Sequence, residues 1–284
     1  MRQSVFVTGA TNGTGFAIAS RFAKEGYDVF IGSRTEENAC VAAKQISDAY
    51  GVFAKGYGMK GYGMKVYDEA DVIRIFDDIR GMGYKLNTLV LNAANLGIRQ
   101  QFFDVSMEEF MDVIHTNMGW NFMLSRQAAI QMKENGGGAI VFINSNTAYR
   151  AIPDRIAYSA SKSGALGMMR AMALDLGRYN IRVNAVLPGM IKTERWLTNY
   201  NDCRNAPSNY TPLGDIAEFE DIADAAWYLG SAQSRNVTGT ELVVDGGNMI
   251  QLYPIIPEER EHMSFCDKGS ETDNGATGKS SSRS

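Results

Sequence analysis

The sequence predicts an α/β fold built on a doubly wound parallel sheet, and two observations carry this prediction. Short apolar runs alternate with longer segments of helical periodicity, such as the spacing of Phe16, Ala19 and Ala23. The runs are apolar throughout, which is typical of strands covered on both faces by helices. Right-handed crossovers then wind the sheet in both directions. The runs are SVFVT (4–8), DVFIG (28–32), TLVLN (88–92), AIVFIN (139–144), IRVNAVL (181–187) and ELVVD (241–245).

The domain organisation follows from where this pattern stops. No linker rich in Pro or Gly divides the first 250 residues, so residues 1–250 are predicted to form one domain. Residues 251–266 are interpreted as a C-terminal extension that docks on the domain or on a neighbouring copy. Residues 267–284 read DKGSETDNGATGKSSSRS, a composition that cannot bury a core and predicts a disordered tail.

Composition and charge exclude several classes of function. The 284 residues are 45% hydrophobic with a net charge of −4, which fits a globular protein and gives no reason to expect nucleic-acid binding. No apolar run predicts a membrane span or a signal peptide. The scattered cysteines Cys40, Cys203 and Cys266 indicate a reducing compartment, and we expect a cytoplasmic protein. His115 and His262 stand at no zinc-site spacing, so no metal is expected.

A glycine-rich loop follows the first predicted strand. The segment TGATNGTG, Thr8 to Gly15, lies between that strand and a helical pattern, which is where a dinucleotide-binding loop belongs. Gly9 would permit the tight turn, and Gly13 would let the backbone approach a pyrophosphate at the helix N-terminus. Gly15 would let helix and strand pack closely. The alternative is a turn in which the glycines are incidental.

The end of the second predicted strand indicates which dinucleotide binds. Folds that prefer NAD place an acidic residue here to hold the ribose hydroxyls. This chain has Ser33 and Arg34 instead, which suit a 2′-phosphate through charge-assisted hydrogen bonds. We therefore expect NADP(H), the alternative being that Arg34 is simply solvated.

A second group of polar residues carries the predicted chemistry. The strand 139–144 leads to Ser145, and YSASK, Tyr158 to Lys162, begins thirteen residues later. Tyr158 and Lys162 are four residues apart and so share one helix face. A nearby ammonium group and a nicotinamide ring with positive charge both favour the phenolate, which would let Tyr158 act as a general acid or base near neutral pH. Ser145 would hydrogen-bond the substrate oxygen.

These motifs together resemble those of the short-chain dehydrogenase/reductase family, in its single-domain branch. The resemblance rests on TGxxxGxG, on Ser145 and on YxxxK, and it extends to about Gly247. It implies a seven-stranded parallel Rossmann sheet, NAD(H) or NADP(H) as cofactor, and Ser145, Tyr158 and Lys162 as a catalytic set. Lys162 would also reach the nicotinamide ribose.

The resemblance assigns further residues. Asn117, in HTNMGWNF, matches the asparagine that kinks a central helix and holds a water in the proton relay, and it completes the catalytic set. Asn92 matches a residue beneath the cofactor, although Ala94 stands where glycine is usual. In NAVLPGMIKT the Ile191 backbone and the Thr193 hydroxyl would fix the nicotinamide carboxamide. The implied cofactor-binding residues are Gly9, Thr11, Asn12, Gly13, Thr14, Gly15, Ser33, Arg34, Asn92, Tyr158, Lys162, Pro188, Gly189, Ile191 and Thr193.

The segment 55–64 reads KGYGMKGYGM, the same five residues twice. We interpret it as a tandem duplication near the third strand and not as a second phosphate site, because the loop 8–15 already fills that role. Family members end this strand with an aspartate that contacts adenine; here the matching place reads Met64-Lys65-Val66, so Lys65 takes that position. The five surplus residues would reverse the strand's faces, so the chain is expected to bulge or lengthen a loop.

Substrate selectivity in this family lies in the segment that is here 194–216. Its aromatic and cationic residues would suit a sizeable apolar substrate with an anionic end, such as a hydroxysteroid acid or an acyl thioester. Alternatively the segment is a lid whose aromatic residues pack on their own domain. Tyr149 and Arg150 are further candidate wall residues. The aromatic and cationic residues of the segment are Trp196, Tyr200, Tyr210, Arg195 and Arg204.

The sequence thus predicts an NADP(H)-dependent oxidoreductase that interconverts a ketone and a secondary alcohol, with a hydroxysteroid as one candidate. The alternatives are a 3-oxoacyl-[acyl-carrier-protein] reductase and a dinucleotide-binding sensor without catalysis, although a sensor does not need Ser145, Tyr158 and Lys162. The resemblance also implies a homodimer or homotetramer that pairs through helices near 106–134 and 155–179. The sequence leaves the reaction direction open.

Overall fold

The computed structural model of the chain describes residues 3–59, 68–193 and 210–252. They contain a seven-stranded parallel sheet in the order β3-β2-β1-β4-β5-β6-β7. The predicted fold class is confirmed, and the six predicted strands lie within two residues of the observed ones. The strands are β1 Ser4–Thr8, β2 Asp28–Ser33, β3 Ala54–Gly58, β4 Leu86–Leu91, β5 Gly138–Ile143, β6 Ile181–Pro188 and β7 Glu241–Val244.

Helices cover both faces of the sheet. Alternate residues of each strand point to opposite faces, so Phe6 of β1 lies in one apolar core while Val5 and Val7 lie in the other. The first core also contains residues of α3, α5 and α6, and the second contains residues of α1, α2 and α7. The helices are α1 Gly13–Lys24, α2 Glu36–Tyr50, α3 Glu69–Gly81, α4 Met107–Ile114, α5 Asn121–Asn135, α6 Ile156–Leu176 and α7 Phe219–Gly230.

Local sequence explains where several helices begin. The side chain of Asp68 accepts a hydrogen bond from the Asp71 amide at 2.9 Å and caps α3. Ser106 and Glu109 form a reciprocal capping box at the start of α4. A π-helix, His115–Trp120, joins α4 to α5 and keeps the three segments in one continuous rod.

The strand order creates a crevice at the carboxyl edge of the sheet. The chain enters at β1, adds β2 and β3 on one side, and then crosses to add β4 to β7 on the other. The connections after β1 and β4 therefore leave in opposite directions and open a cleft between them. The glycine loop follows β1, Asn92 follows β4 and Ser145 lies just beyond β5, so all three reach this edge.

The third strand corrects one expectation. It is formed by the first KGYG copy, so it ends at Gly58 and not near Met64 to Val66. The chain before this copy is already fixed, because the Phe53 amide donates to Asp28 Oδ1 at 2.9 Å. The second copy and Lys65 lie outside the described residues, in the connection between β3 and α3.

The glycines of the first copy let α2 approach the sheet. A methyl group on Gly56 would lie 2.2 Å from the carbonyl carbon of Ala39, and one on Gly58 would lie 2.9 Å from Glu36 Cβ. Tyr57, between them, faces the opposite core, and its hydroxyl donates to Asp78 at 2.8 Å. Glycine at these two places therefore serves helix packing and not phosphate binding.

No helix among the described residues is long and apolar enough to cross a membrane.

Candidate active site

The glycine loop is held closed by the strand beside it. Gly9 has a φ of +65° and Gly13 a φ of +52°, backbone angles that residues with a side chain rarely adopt. The Asn92 side-chain amide donates to the carbonyls of Thr8 and Gly9 at 3.0 and 3.1 Å. A methyl group on Gly15 would lie 2.2 Å from the Gly9 oxygen, so only glycine lets α1 start this close to the loop.

The N-terminus of α1 fits an anion. Asn12 occupies the N-cap position, but its side chain does not cap the helix, and the first turn contains no acidic residue. By contrast, α4 satisfies its own first amides through Ser106 and Glu109. The first amides of α1 and the positive end of its dipole are therefore available to a dinucleotide pyrophosphate. Thr11 and Thr14, the other predicted loop residues, flank this turn.

The predicted 2′-phosphate residues lie next to this loop. The Gly9 amide donates to the Gly32 carbonyl at 2.7 Å, which brings the end of β2 beside the glycine turn. Ser33 is the last residue of β2, and its carbonyl accepts a hydrogen bond from the Met59 amide at 2.7 Å. Arg34 is exposed and pairs with none of the described acidic side chains. A cation is thus presented at the rim of the cleft.

The structure brings Ser145, Tyr158 and Lys162 together. Ser145 lies two residues beyond β5; its hydroxyl accepts from the Thr147 amide at 3.2 Å and is near enough to Tyr158 to lower the pKa of the phenol. Tyr158 and Lys162 project from the same face of α6, with Lys162 Nζ 5.6 Å from the centre of the Tyr158 ring. Lys162 Nζ also donates to the Ile143 carbonyl at 2.9 Å, which ties α6 to the end of β5.

Burial shifts the pKa values of Tyr158 and Lys162 in the directions that favour the neutral form of each side chain. Burial raises the pKa of Tyr158 above its ordinary value, and the nearby Ser145 hydroxyl and the charge of Arg155 oppose this only in part. Burial lowers the pKa of Lys162 to about 8. In the protein without cofactor, desolvation is the largest cause of the pKa shift of both groups.

Asn117 lies in the π-helix and joins two segments beside Tyr158. Its side-chain amide donates to the Asn95 carbonyl and to Ser161 Oγ, both at 2.9 Å, and its Oδ1 accepts from the Asn95 amide at 2.7 Å. Ser161 Oγ in turn donates to the Tyr158 carbonyl at 2.8 Å. The backbone carbonyl of Asn117 accepts from the side chain of Asn121 at 2.8 Å. The Asn117 side chain thus holds the backbone at Asn95 directly and the backbone at Tyr158 through Ser161.

The turn after β6 is packed against the end of β7. The Gly189 amide donates to the Val244 carbonyl at 3.0 Å, and a methyl group on Gly189 would lie 2.5 Å from Asp245 Cβ. Pro188, the last residue of β6, precedes this turn. Beyond it, Ile191 forms an isolated parallel bridge with Ala217. The Thr193 amide donates to the Ile191 carbonyl at 2.8 Å, and Thr193 is the last described residue before the gap.

Several predicted residues lie elsewhere. Trp196, Tyr200, Arg195 and Arg204 are outside the described residues; Tyr210 is described and exposed. The other two candidate wall residues, Tyr149 and Arg150, form hydrogen bonds with residues of β7 and of the chain after it. The Tyr149 hydroxyl donates to Glu241 at 2.6 Å, and Arg150 donates to the Gln251 carbonyl at 2.8 Å.

Ala94, the departure from the family pattern, is exposed and does not have a positive φ. The backbone at this place therefore does not require glycine.

Two cavities flank the start of α6. A cavity of about 570 Å³ lies between Phe102, the 147–156 loop and α6, and Tyr158 does not line it. A smaller one of about 20 Å³ is bordered by Tyr158 together with Leu96 and Ile98. Tyr158 therefore lies beside the connection between β4 and α4, which contributes both apolar residues and the polar Gln100 to the lining of this cavity.

Sequence reasoning missed three residues at the carboxyl edge. Asn146 donates from its side chain to Asn248 Oδ1 at 3.0 Å, and Asp245 accepts from the amides of Gly247 and Met249 at 2.9 and 2.8 Å. The available signal was their position: Asp245 follows β7 directly, and Asn146 and Asn248 lie in the turns after β5 and β7, where functional side chains collect.

Comparison with known proteins gives a consistent result. A family model described as enoyl-(acyl carrier protein) reductase matches residues 9–248. The chain is 32% identical over 247 residues to a 3-oxoacyl-[acyl-carrier-protein] reductase of Chlamydia muridarum, covering 87% of this chain and 97% of that protein.

Two solved structures have the same fold. A 7α-hydroxysteroid dehydrogenase complexed with NADH and 7-oxo glycochenodeoxycholic acid superposes with a TM-score of 0.78 at 30% identity, covering 90% of this chain and 94% of that one. A gluconate 5-dehydrogenase from Burkholderia cenocepacia in complex with NADP and tartrate gives a TM-score of 0.80 at 26% identity, covering 88% and 96%.

Proposed function

Because the chain belongs to the short-chain dehydrogenase/reductase family and is thus an oxidoreductase of alcohols and ketones, we propose that it is an NADP(H)-dependent enzyme that interconverts a ketone and a secondary alcohol. The observation that carries this proposal is the convergence of Ser145, Tyr158 and Lys162 at the carboxyl edge of the sheet. The uncapped N-terminus of α1 at the same edge supports a dinucleotide beside them.

In the proposed mechanism Tyr158 moves the proton. For ketone reduction its hydroxyl donates to the substrate oxygen, and for alcohol oxidation the phenolate accepts that proton. The Ser145 hydroxyl lies beside Tyr158, so a substrate oxygen seated between the two hydroxyls would receive a second hydrogen bond from Ser145. The bound cofactor supplies or accepts the hydride.

Lys162 and Asn117 keep this geometry in place. Lys162 is anchored to the Ile143 carbonyl, and its ammonium would reach a ribose hydroxyl next to Tyr158. Asn117 fixes Asn95 and, through Ser161, the first turn of α6. Because each residue holds backbone on two elements, the hydroxyl of Tyr158 is oriented before substrate arrives.

The preference for NADP(H) is supported by Ser33 and Arg34. A guanidinium at the end of β2 can form charge-assisted hydrogen bonds to a 2′-phosphate, and no acidic residue replaces it to hold ribose hydroxyls. The two related structures contain NADH in one case and NADP in the other, so this chain's own residues carry the proposal.

The proposed substrate has an apolar body. Leu96 and Ile98, which are 48% and 64% exposed, line the cavity that Tyr158 borders. Exposed apolar side chains beside a reactive group favour a substrate that covers them. A hydroxysteroid fits this surface, and the hydroxysteroid dehydrogenase structure supports that class.

A second candidate is a 3-oxoacyl-[acyl-carrier-protein] reductase. The Chlamydia relative and the description of the matching family model favour it. An acyl chain would cover the same apolar wall. The two candidates differ in the substrate that is turned over and not in the roles of Ser145, Tyr158 and Lys162.

The proposed assembly is a homodimer or homotetramer through α5 and α6. Phe122 and Ile130 on α5 are 52% and 43% exposed, and Leu174 on α6 is 83% exposed. Large apolar side chains on two adjacent helices are typical of a surface that another copy covers.

The first experiment measures cofactor choice and substrate class together. Fluorescence quenching and turnover would be recorded with NADPH and NADH, across a panel of steroid ketones, sugar-acid ketones and 3-oxoacyl thioesters. We expect tighter binding of NADPH, and we expect Arg34→Ala to weaken it roughly 10- to 100-fold without changing NADH binding. The ketone that turns over identifies the substrate class.

Arg80→Ala is the control, because Arg80 is an exposed arginine that pairs with Asp77 on α3. It should leave both affinities unchanged. Equal affinity for NADH and NADPH in the wild type would overturn the NADP(H) assignment. Cofactor binding without turnover of any ketone would favour the sensor alternative.

A further inference from the structure

The turn after β7 holds two other segments of the cleft through one side chain. Asn248 Oδ1 accepts from the side-chain amide (Nδ2) of Asn146 at 3.0 Å, and Asn248 Nδ2 donates to the Tyr210 carbonyl at 2.7 Å. Both polar atoms of one amide are therefore used, one toward the loop after Ser145 and the other toward residue 210.

This turn is itself rigidly placed. Asp245 is buried, and its two carboxylate oxygens accept from the amides of Gly247 and Met249. The Asn248 amide donates to the Asp245 carbonyl at 3.1 Å. Gly246 and Gly247, with φ values of +61° and +91°, complete a tight turn whose shape does not depend on the Asn248 side chain.

The segment after residue 210 lies directly on this turn. A methyl group on Gly246 would lie 2.3 Å from Thr211 Cγ2, and one on Gly247 would lie 3.0 Å from Pro212. The Leu213 amide donates to the Gly246 carbonyl at 3.1 Å. The turn is thus in contact with the 210–214 segment on one side and with Asn146 on the other.

We propose that Asn248 is a positioning residue that sets the loop of Ser145 and the 210–214 segment relative to each other. This inference rests on the proposed function for its kinetic consequences. Asn146 follows Ser145 directly, so its bond to Asn248 limits where the serine hydroxyl stands against Tyr158. The bond to the Tyr210 carbonyl limits the position of the 210–214 segment, which belongs to the segment 194–216 that the family resemblance links to substrate selectivity.

The two bonds can be separated by substitution. Asn146→Ala removes the bond to the serine loop and leaves Asn248 free to hold Tyr210. Asn248→Asp keeps an acceptor for Asn146 but has no donor for the Tyr210 carbonyl. Asn248→Ala removes both bonds. Ile250→Ala, in the same turn but with a side chain that is 87% exposed, is the matched control.

Steady-state kinetics with the active ketone gives one readout. We expect Asn146→Ala to lower kcat about tenfold with little change in KM, because the serine is misplaced in the transition state. Asn248→Asp should raise KM about tenfold with little change in kcat. Asn248→Ala should show both effects, and adding Asn146→Ala to it should lower kcat no further. A uniform loss of kcat in all three variants would indicate a merely structural role and overturn the proposal.

Hydrogen exchange gives a readout that needs no activity. The amides of Tyr149 and Arg150 donate to the Asn146 carbonyl, and that of Gly214 donates to the Thr211 carbonyl, so both segments contain protected amides. Exchange should quicken about tenfold at 146–150 alone in Asn146→Ala and at 210–214 alone in Asn248→Asp. In Asn248→Ala it should quicken at both segments.

Failure of this inference and failure of the proposed function are distinguishable. If the wild type turns over no ketone but the exchange pattern appears, the proposed function is wrong and the positioning role stands. If the wild type is active and exchange at both segments is unchanged in Asn248→Ala, the positioning role is wrong and the function stands.

Discussion

Two side chains in the cleft have pKa values that burial shifts in opposite directions. The phenol of Tyr158 is held protonated and the ammonium of Lys162 is made easier to deprotonate, because both charged forms lose hydration. Without cofactor the phenol is therefore protonated at neutral pH, while Lys162 loses its proton only above about pH 8; Lys162 Nζ lies 5.6 Å from the centre of the Tyr158 ring. The positive charge that favours a phenolate has to come in part from the bound cofactor.

Tyr158→Phe should remove the proton-transferring atom and leave the ring in place. We expect kcat to fall by about 10²- to 10⁴-fold, the range of general acid–base catalysis, with a much smaller loss of cofactor affinity, because Tyr158 is also an implied cofactor-binding residue. Turnover and fluorescence titration on the same preparation check this. Retention of most of the activity would show that another group transfers the proton.

Lys162→Met tests the buried ammonium through stability. The folded-state pKa of Lys162 is lowered to about 8, so between pH 8 and the ordinary lysine value the unfolded chain binds more protons than the folded one. The wild type should therefore gain stability relative to the variant as pH rises through this window, by about 3 kcal/mol in total. At pH 7 the variant should be the more stable protein.

Urea unfolding of both proteins without cofactor, from pH 7 to pH 10.5, measures this difference. A stability difference that is independent of pH would show that Lys162 keeps its ordinary pKa. Catalysis should be lost in the variant at every pH, which separates the stabilising effect from any gain of function.

Among the secondary-structure elements, β3 shows how a repeated sequence is placed. The two KGYGM copies have the same local preferences; the first forms β3, and the second lies outside the described residues. Phe53, just before it, donates its amide to Asp28 and stacks on Tyr84 with ring centres 5.5 Å apart. These contacts fix the chain immediately before the first copy and so fix the register of β3.

Gly56→Ala should destabilise the fold, because the added methyl group would overlap the backbone of α2 at Ala39. We expect a loss of about 3 kcal/mol in the free energy of unfolding. Gly61 occupies the same place in the second copy and lies outside the described residues, so Gly61→Ala is the matched control and should cost much less. Equal losses would mean that the second copy can form the strand.

At the scale of the whole molecule, the described residues include a candidate reactive edge and exposed apolar side chains on α5 and α6. The surface formed by α5 and α6 exposes Phe122, Ile130 and Leu174, and the cleft lies at the carboxyl ends of the strands. If another copy covers that surface, assembly and catalysis use different parts of the chain. Assembly would then be separable from cofactor binding by substitution.

Leu174→Glu should weaken the proposed assembly, because it places a charge where an apolar side chain is 83% exposed. We expect the molar mass from light scattering to fall toward that of a 31.2 kDa monomer as the protein is diluted. Val41→Glu on α2, where Val41 is 55% exposed, is the control and should leave the mass unchanged. A wild type that is already monomeric would refute the assembly.

Sequence alone is sufficient to predict six of the seven described strands, the glycine loop and the order of Ser145, Tyr158 and Lys162. These features depend on local patterns: apolar runs, glycines between a strand and a helix, and a spacing of four on one helix face. Position alone also brought Asn92 and Ser145 to the cleft, because the carboxyl ends of parallel strands share one edge.

Three features depend on tertiary contacts: the choice of the copy that forms β3, the size of the decrease in the pKa of Lys162, and the hydrogen bond between Asn146 and Asn248. Two identical copies cannot be told apart by local preference, so contacts of Phe53 and Ala39 with distant residues select one. Desolvation of Lys162 depends on how α6 packs against the sheet. Asn146 and Asn248 are 102 residues apart, and only the closing of β7 beside β6 brings their amides within hydrogen-bonding distance.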